Sequence, residues 1–340
     1  MSDLRDVARL AGISTTTVSH ALNGSRRVHP ETHRRIMCAV DQLDYRPNIL
    51  ARSLRRHKTG TIGLLVSDIE LPYFTEIARA VETSAYTRGY NVVLCNTDES
   101  PDKEALYAEI LLGKQVEGLI LAPSPGSHEH LQAHVARGAR IVFINRRVSG
   151  INAPAIVCDD TESTFALTRR LIADGHRRLG AIIGLDGVST TERRYRGFRG
   201  ALDAAGIQPD SAWVFPGGSR REGGERAAVA LAQLPDPPTA NVAFNTAMIE
   251  GLLIGLLDHA PNLLDSTIVT GFGYSPMMRL CGTSPYAIDA PTREIGRVAT
   301  KLLLDGLEDG ATWHTNEVIL QAPVIELEVY RRQTNDVLTR

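Results

Sequence analysis

The feature that most constrains the fold of this 340-residue chain is a pair of short helical segments close to its first residue. Both segments, residues 4–10 and 15–22, are amphipathic, and Ala11-Gly12-Ile13 between them is typical of a tight turn. Ser14 stands at the position of an N-cap for the second segment. The pattern predicts a helix-turn-helix unit that presents its second helix as a rod of major-groove size.

The second predicted helix carries polar side chains on one face. Thr15, Thr16 and His20 would be exposed there, and each can form hydrogen bonds with the edges of bases. The side chains that we expect to be buried beneath this helix are Val7, Ala8, Ile13, Val18 and Leu22.

Charge is divided unequally along the chain. Up to Lys58 there are 11 Lys and Arg against 5 Asp and Glu, whereas the remainder holds 26 against 34. A basic head on an acidic body indicates that the head meets a polyanion and the body does not. A merely solvated basic surface is the alternative, but helix spacing, cap and charge all favour a DNA-binding unit.

The overall composition is that of an ordinary globular protein, with 43% hydrophobic and 22% charged residues. We expect a cytoplasmic protein without membrane contact, because no basic-then-apolar leader and no run of about 18 apolar residues is present. The four cysteines form no CxxC pair. The cluster His128-Glu129-His130 has a spacing that suits neither a helix face nor a zinc hook, so we expect no metal site and no cofactor.

A third helix should begin near Pro30, because Ile36, Val40 and Leu43 recur at helical spacing. The following residues 48–56 form a basic, helix-compatible stretch too short to be stable alone. We expect this stretch to order only when bound, with a plain linker as the alternative. The predicted domains are a headpiece at 1–46, a hinge helix and linker at 47–58, and a core at 59–340.

Beyond residue 59, apolar runs of strand character alternate with amphipathic helices. Such alternation predicts βαβ units in open parallel sheets. A polar break at 148–153 separates two series of strands, so we expect an α/β core of two lobes with a cleft between them. The predicted strands are residues 61–66, 91–94, 118–121, 140–144, 155–157, 179–183, 242–244 and 267–272.

Ligands of open parallel sheets bind beyond the carboxyl ends of the strands. Tyr73 and Phe74, which follow the first strand, could stack on a ring of a ligand or belong to the core. The residues that end the strands, and that we expect to line the cleft, are Ser67-Asp68, Asn96, Pro123, Asn145-Arg146-Arg147, Asn245 and Gly273-Tyr274.

These patterns resemble the LacI/GalR (lac-repressor) family of bacterial transcription regulators over about residues 3–330. The match is most specific in the headpiece and moderately specific in the core. The stretches that carry it are residues 6–20, Tyr45-Arg46-Pro47-Asn48, Ala51-Arg52-Ser53-Leu54, Gly175-His176-Arg177-Arg178, Arg194-Tyr195-Arg196-Gly197-Phe198 and Pro238-Thr239-Ala240.

The resemblance implies a homodimer that represses transcription from a palindromic, CG-centred operator in double-stranded DNA. Leu54 matches the hinge leucine that this family wedges into the minor groove, where an apolar side chain part-unstacks the bases. Arg52, Arg55 and Arg56 would hold adjacent phosphates or the groove floor. The full set of expected DNA-binding residues is Thr15, Thr16, Thr17, His20, Asn23, Asn48, Arg52, Leu54 and Arg55.

The family's core is similar to periplasmic sugar-binding proteins, which implies a small-molecule effector in the cleft. Arg194 matches the family arginine that grips this effector, and Asn145 stands where an aspartate is common. The expected effector-binding residues are Asp68, Tyr73, Phe74, Asn145, Arg147, Arg194, Asn245 and Tyr274.

Two departures from the family pattern remove a carboxylate from the cleft, at Asn245-Thr246 and at Gly271-Phe272-Gly273-Tyr274. Together with Arg146, Arg147, Arg193 and Arg194 they hint at an anionic effector, so a sugar, a sugar acid or a sugar phosphate is expected. Residues 330–340 lack the leucine heptad of a tetramer-forming coiled coil, which favours a dimer.

Enzyme motifs are missing from the sequence: it contains no GxSxG, GxxxxGK[ST], HExxH or GxGxxG after a strand. A solute-binding protein of sugar-transport type is the alternative to a regulator. It would explain two lobes but not the basic head.

Overall fold

The computed structural model describes residues 3–23, 26–45, 59–113, 116–308 and 315–328. The chain divides into two compact units, residues 1–59 and residues 60–340. The predicted hinge helix, with Asn48, Arg52, Leu54 and Arg55, lies outside the described residues, as do residues 330–340. Within the described ranges, no helix combines the length and the apolar character that crossing a lipid bilayer requires.

The first unit contains three helices, α1 (Leu4–Ala11), α2 (Thr15–Asn23) and α3 (Pro30–Gln42). The prediction of its buried face is confirmed for three side chains, while Ile13 and Leu22 are half-buried. The fully buried core of the unit consists of Val7, Ala8, Ala11, Val18, Ile36 and Ala39.

Local signals fix where the first two helices begin and end. Asp3 caps α1 by accepting hydrogen bonds from the backbone N–H groups of Arg5 and Asp6. The Asp6 carboxylate in turn accepts a hydrogen bond from the Asp3 N–H. Gly12 ends α1 at φ 64°, a left-handed conformation that costs a residue with a Cβ atom energy. The Arg35 guanidinium donates to the Ala11 carbonyl at 2.6 Å, so α3 holds the end of α1 in place.

The second unit alternates strands and helices along its length. Its strands are β1 (Thr61–Val66), β2 (Asn91–Asn96), β3 (Gly118–Leu121), β4 (Arg140–Ile144), β5 (Ala155–Cys158), β6 (Leu179–Ile183), β7 (Val214–Pro216), β8 (Ala240–Ala243), β9 (Ile268–Gly271), β10 (Tyr286–Ile288), β11 (Glu317–Leu320) and β12 (Val324–Glu326). Its helices are α4 (Pro72–Thr87), α5 (Pro101–Gly113), α6 (Glu129–Ala136), α7 (Asp160–Ala173), α8 (Ser189–Ala204), α9 (Arg221–Ala232), α10 (Thr246–His259), α11 (Pro261–Leu264), α12 (Pro276–Cys281) and α13 (Thr292–Glu308), with one 3-10 turn, Ser211–Trp213.

The strands form two parallel sheets, one in each lobe. The first lobe has the order β11-β5-β4-β3-β1-β2, and the second has β7-β6-β8-β9. A small antiparallel pair, β10 and β12, completes the described strands. Near-continuous apolar runs suit this arrangement, because strands covered by helices on both faces bury side chains on both faces.

The predicted position of the break between the lobes is wrong. β5 pairs in parallel with β4, so it belongs to the first lobe. Val148, Ile151 and Ala153, within the segment interpreted as a polar boundary, are buried against the first sheet. The chain leaves the first lobe at Asp159, directly after β5.

Three short connections join the lobes of the second unit. Asp159 leads from β5 to α7, residues 289–291 lead from β10 back to α13, and residues 321–323 lead from β11 to β12. α13 packs on α4 in the first lobe, whereas β12 pairs with β10 beside the second sheet. Three chain segments therefore form the hinge between the two lobes.

Candidate functional site

The exposed face of α2 is the first candidate surface. Thr15 and Thr16 are exposed, and His20 is half-buried. The Ser14 hydroxyl accepts the Thr17 backbone N–H at 3.2 Å and lies 2.9 Å from the Thr17 hydroxyl. Ser14 thus caps α2 as predicted, and the Thr17 hydroxyl is already engaged in this cap. The side chain of Asn23 lies outside the described residues.

The second candidate site is a cleft between the two lobes of the second unit. It lies beyond the carboxyl ends of strands from both sheets, where open parallel sheets bind their ligands. Its lining residues are Ser67, Asp68, Leu71, Tyr73, Phe74, Asp98, Glu99, Asn145, Arg146, Gly184, Thr190, Thr191, Arg194, Gly218, Ser219, Arg220, Phe244, Asn245, Thr246 and Phe272.

Six of the eight expected effector-binding residues line this cleft, and two lie elsewhere. The Arg147 guanidinium lies 3.9 Å from Glu317, the first residue of β11 in the first lobe. Tyr274 is absent from the cleft lining, and the N–H of the preceding Gly273 donates to the Ile288 carbonyl. We therefore leave Arg147 and Tyr274 out of the candidate site.

Arg194 is held rigidly at the floor of the cleft. Its Nε donates to Asp160 at 2.7 Å, its Nη1 donates to the Phe244 carbonyl, and its guanidinium lies 3.5 Å from the centre of the Phe272 ring. The third nitrogen, Nη2, has no hydrogen-bond partner among the described residues. A fixed, preorganised donor of this kind binds a ligand without losing much side-chain entropy.

Asp160 supports Arg194 from a fully buried position, with 1% of its surface exposed. Burial raises the pKa of this carboxyl, and the adjacent Arg194 opposes that shift. Its second oxygen, Oδ2, is buried without a hydrogen-bond partner among the described residues. Asp160 and Arg194 therefore depend on each other, because the charge of each is compensated mainly by the other.

A second buried ion pair forms the opposite wall. Arg146 makes a bidentate contact with Glu99, with both N–O distances at 2.6–2.7 Å, and also donates to the Pro123 carbonyl. Asn145 and Glu99 adopt left-handed backbone conformations, with φ of 66° and 57°. Non-glycine residues in this region are uncommon and cluster at functional sites.

The arginines that hinted at an anionic effector are all paired with carboxylates. Arg146 faces Glu99, Arg194 faces Asp160, and Arg193 binds Glu317 at 2.9 Å, the residue that also faces Arg147. Three carboxylates thus face four guanidinium groups, so most of this positive charge is compensated before any ligand arrives. The sequence alone could not show this, because the three carboxylates are distant in the chain from the arginines that they face.

Neutral polar groups supply most of the remaining hydrogen-bonding capacity in the cleft. The Ser67 hydroxyl is buried without a hydrogen-bond partner among the described residues. The Tyr73 hydroxyl donates to Asn145 at 3.2 Å, and burial raises the pKa of Tyr73 well above its usual value. Asn245 caps α10 through Met248 and donates to the Ser219 carbonyl, so it positions the cleft wall.

The structure distinguishes between the two interpretations of Tyr73 and Phe74, namely stacking on a ligand ring and packing in the core. Phe74 is buried in the core of the first lobe with only 4% of its surface exposed, and Tyr73 is half-buried with its hydroxyl toward Asn145. The two rings meet edge to face at 5.0 Å. Both residues line the cleft, but only Tyr73 has a polar group positioned near the ligand space.

Sequence reasoning missed several lining residues. Asp98 and Glu99 follow β2, while Thr190 and Thr191 begin α8 after β6. The rule that ligands bind beyond strand ends could have found these four, had the loops been followed a few residues further. Ser219 and Arg220 follow β7, a three-residue strand whose half-buried side chains form no alternating pattern.

Both parts of the chain match known protein families. A model described as bacterial regulatory proteins, lacI family, matches residues 3–48. A second, described as periplasmic binding proteins and sugar binding domain of LacI family, matches residues 59–324. The HTH-type transcriptional repressor PurR of Vibrio vulnificus (strain CMCP6) is 32% identical over 311 residues, covering 91% of this chain and 93% of the relative.

Two solved structures are similar over nearly the whole chain. The transcriptional regulator CelR in complex with cellobiose is 26% identical, with a TM-score of 0.69 and coverage of 96% and 98% of the two chains. The lac repressor dimer bound to operator and the anti-inducer ONPF is 21% identical, with a TM-score of 0.82 and coverage of 97% and 99%. At that identity the second likeness shows the fold.

Proposed function

Because the chain belongs to the lacI family of bacterial regulatory proteins, we propose that it represses transcription as a homodimer on a palindromic operator, controlled by a small molecule bound in the interlobe cleft. The DNA-binding repressor role follows from the family and from its curated relatives. The dimer, the operator symmetry and the effector are the parts that we propose.

The exposed polar face of α2 carries the DNA-binding part of this proposal. Thr15 and Thr16 stand free of the headpiece core on a helix of suitable size, and the residues up to Lys58 hold a net charge of +6. The related lac repressor structure is a dimer on its operator. We expect each subunit to read one half-site with α2 and to place Leu54 at the central base step.

For the effector, the cleft favours a neutral polyhydroxyl compound, and we propose a sugar. Arg146 and Arg194 are paired with carboxylates, and the third arginine of the lining, Arg220, is balanced by the lining carboxylates Asp68 and Asp98, so the cleft has no excess positive charge for an acid or a phosphate. Ser67 and the free nitrogen of Arg194 offer hydrogen bonds that hydroxyl groups could complete. A similar regulator was solved with the disaccharide cellobiose.

Control requires that the effector binds one arrangement of the lobes more tightly than another. The three short connections between the lobes allow the arrangement of the lobes to change. Because residues from both lobes line the same cleft, a bound ligand would contact both lobes. Ligand contacts that join Ser67 in the first lobe to Arg194 in the second would favour one arrangement.

The DNA-binding proposal is tested by selecting from a random pool of duplex oligonucleotides with the full-length protein. We expect an enriched inverted repeat, whose affinity falls steeply with salt because several phosphates are neutralised per subunit. A chain that lacks residues 1–58 should lose this binding and keep ligand binding. Recovery of no inverted repeat from folded protein, with and without candidate effectors, would refute the proposal.

The effector proposal is tested by thermal-shift screening of the full chain against matched sets, each holding a neutral sugar, its acid and its phosphate. We expect the neutral member of at least one set to raise the melting temperature most. A hit should be repeated on Arg194→Lys, which keeps the charge but loses the planar geometry. Stabilisation by acids or phosphates alone would show that the paired arginines still select anions.

The alternative, a solute-binding protein of sugar-transport type without DNA function, explains the fold of the second unit. It leaves the match of residues 3–48 to bacterial regulatory proteins without a role. We therefore do not retain it.

A further inference from the structure

Three polar side chains that play no part in the cleft converge near the end of β3. Glu104 lies on α5, while His128 and His130 lie at the beginning of α6. The Glu104 Oε1 atom lies 2.9 Å from His128 Nδ1 and 3.2 Å from His130 Nε2. Among the described residues, one ligand atom from each side chain lies within 4.8 Å of the others.

Sequence spacing alone argued against a metal site here, since the two histidines are only two residues apart. The fold changes that conclusion by adding a carboxylate from 24 positions upstream. His128 precedes the first turn of α6 and His130 lies within it, so both rings can face α5. A two-histidine, one-carboxylate set then forms from two helices.

The environment of Glu104 favours a cation. Its side chain is completely buried, with 0% exposed. Its Oε2 accepts the Ser124 backbone N–H at 2.5 Å, and within the described ranges the only basic groups in contact with its carboxylate are the two histidines. A buried carboxylate needs compensation by a positive charge or a metal.

The geometry of His130 leaves a ring nitrogen available to a metal ion. His130 Nε2 is buried and makes no hydrogen bond with the residues that the structure describes, although it lies close to Glu104. The His130 side chain is 23% exposed, which leaves an entry path for an ion.

We propose that Glu104, His128 and His130 bind a divalent transition-metal ion, with Zn²⁺ as the best fit. Zinc takes imidazole nitrogen and carboxylate oxygen at about 2.0–2.2 Å, commonly with three protein ligands and a water in the fourth position. Tetrahedral coordination at those bond lengths separates ligand atoms by about 3.4 Å, close to the two distances from Glu104 Oε1. Mg²⁺ and Ca²⁺ are disfavoured, because they prefer ligand sets made only of oxygen.

One of the proposed ligands, His128, also borders a second cavity. His128 lines this cavity of about 450 Å³ together with Ser124, Arg146 and Arg147 from the first lobe and Glu192 from the second. Arg146, which forms one wall of the effector cleft, therefore lines this cavity as well. The proposal of a metal site does not depend on which effector binds in the interlobe cleft.

The test is isothermal titration of the full-length, metal-stripped protein with Zn²⁺, compared with His128→Ala and His130→Ala. Histidine variants are chosen because replacing the fully buried Glu104 could prevent folding. His134→Ala is the matched control, since His134 lies 3.1 Å from Glu109 and joins the same two helices outside the cluster. Far-UV circular dichroism verifies that each variant is folded.

We expect the wild type to bind one more equivalent of Zn²⁺ per chain than either cluster variant, or to bind that equivalent at least about ten-fold more tightly. The His134→Ala variant should behave as the wild type. Co²⁺ in place of Zn²⁺ should give the visible absorption of tetrahedral coordination, and this signal should be lost in His130→Ala. Identical stoichiometry and affinity in the wild type and both cluster variants would overturn the proposal.

Discussion

The Arg194–Asp160 pair allows a quantitative prediction about the core of the second unit. Arg194→Met retains much of the side-chain volume but leaves Asp160, which is 1% exposed, without its only described cationic partner. Removing one member of a buried pair costs about 3–5 kcal/mol, because an uncompensated charge remains inside the protein. At about 2–4 °C per kcal/mol for a large domain, the melting temperature should fall by roughly 10 °C.

The assay is thermal and urea unfolding of the wild type, both single variants and the double variant Asp160→Asn/Arg194→Met. The double variant should recover at least about 2 kcal/mol relative to the sum of the single losses, since neither charge is left alone. The exposed Arg137, changed to Met, gives the cost of the substitution itself. Additive losses, or a loss in Arg194→Met no larger than in Arg137→Met, would refute the reasoning.

Four further predictions follow from other parts of the chain. Leu54→Ala should weaken operator binding far more than non-specific DNA binding in gel-shift titrations, and equal losses would contradict the wedge role. Asp3→Ala should lower the melting temperature of the headpiece, because α1 loses its capping hydrogen bonds, while His29→Ser, at an N-cap that makes no side-chain hydrogen bond, should raise it. Gly251→Ala should cost about 1–3 kcal/mol, because its Cβ would lie 1.9 Å from the Arg221 carbonyl, whereas Gly113→Ala has open space and should be neutral or stabilising. Ser67→Ala should stabilise the ligand-free protein by about 1 kcal/mol, by removing a buried unpaired hydroxyl, and should weaken effector binding in calorimetry.

Local patterns predicted the elements well where a single segment determines its own structure. Four predicted strands, including residues 61–66 and 179–183, match the observed bounds, and Ser14 caps α2. The short strands β7, β10, β11 and β12 were missed, because each has only three or four residues and depends on a partner distant in sequence.

Long-range pairing also explains the errors in the site. The position of β5 could not be read from its own residues, since a buried strand looks the same in either sheet. The arginines of the cleft were visible in the sequence, but Glu99, Asp160 and Glu317, which compensate them, were not recognisable as partners. Charge composition therefore suggested an anion, whereas charge pairing favours a neutral ligand.

The path of the chain through the two lobes also sets an order for folding during synthesis. The second sheet is drawn from one continuous stretch, residues 179–271, whereas the first needs β11 to cover the open edge of β5. A nascent chain can finish the second sheet while the edge formed by Ala155–Cys158 still awaits Glu317–Leu320 from the ribosome. Until residues 317–320 emerge, this edge stays unpaired and open to wrong pairing.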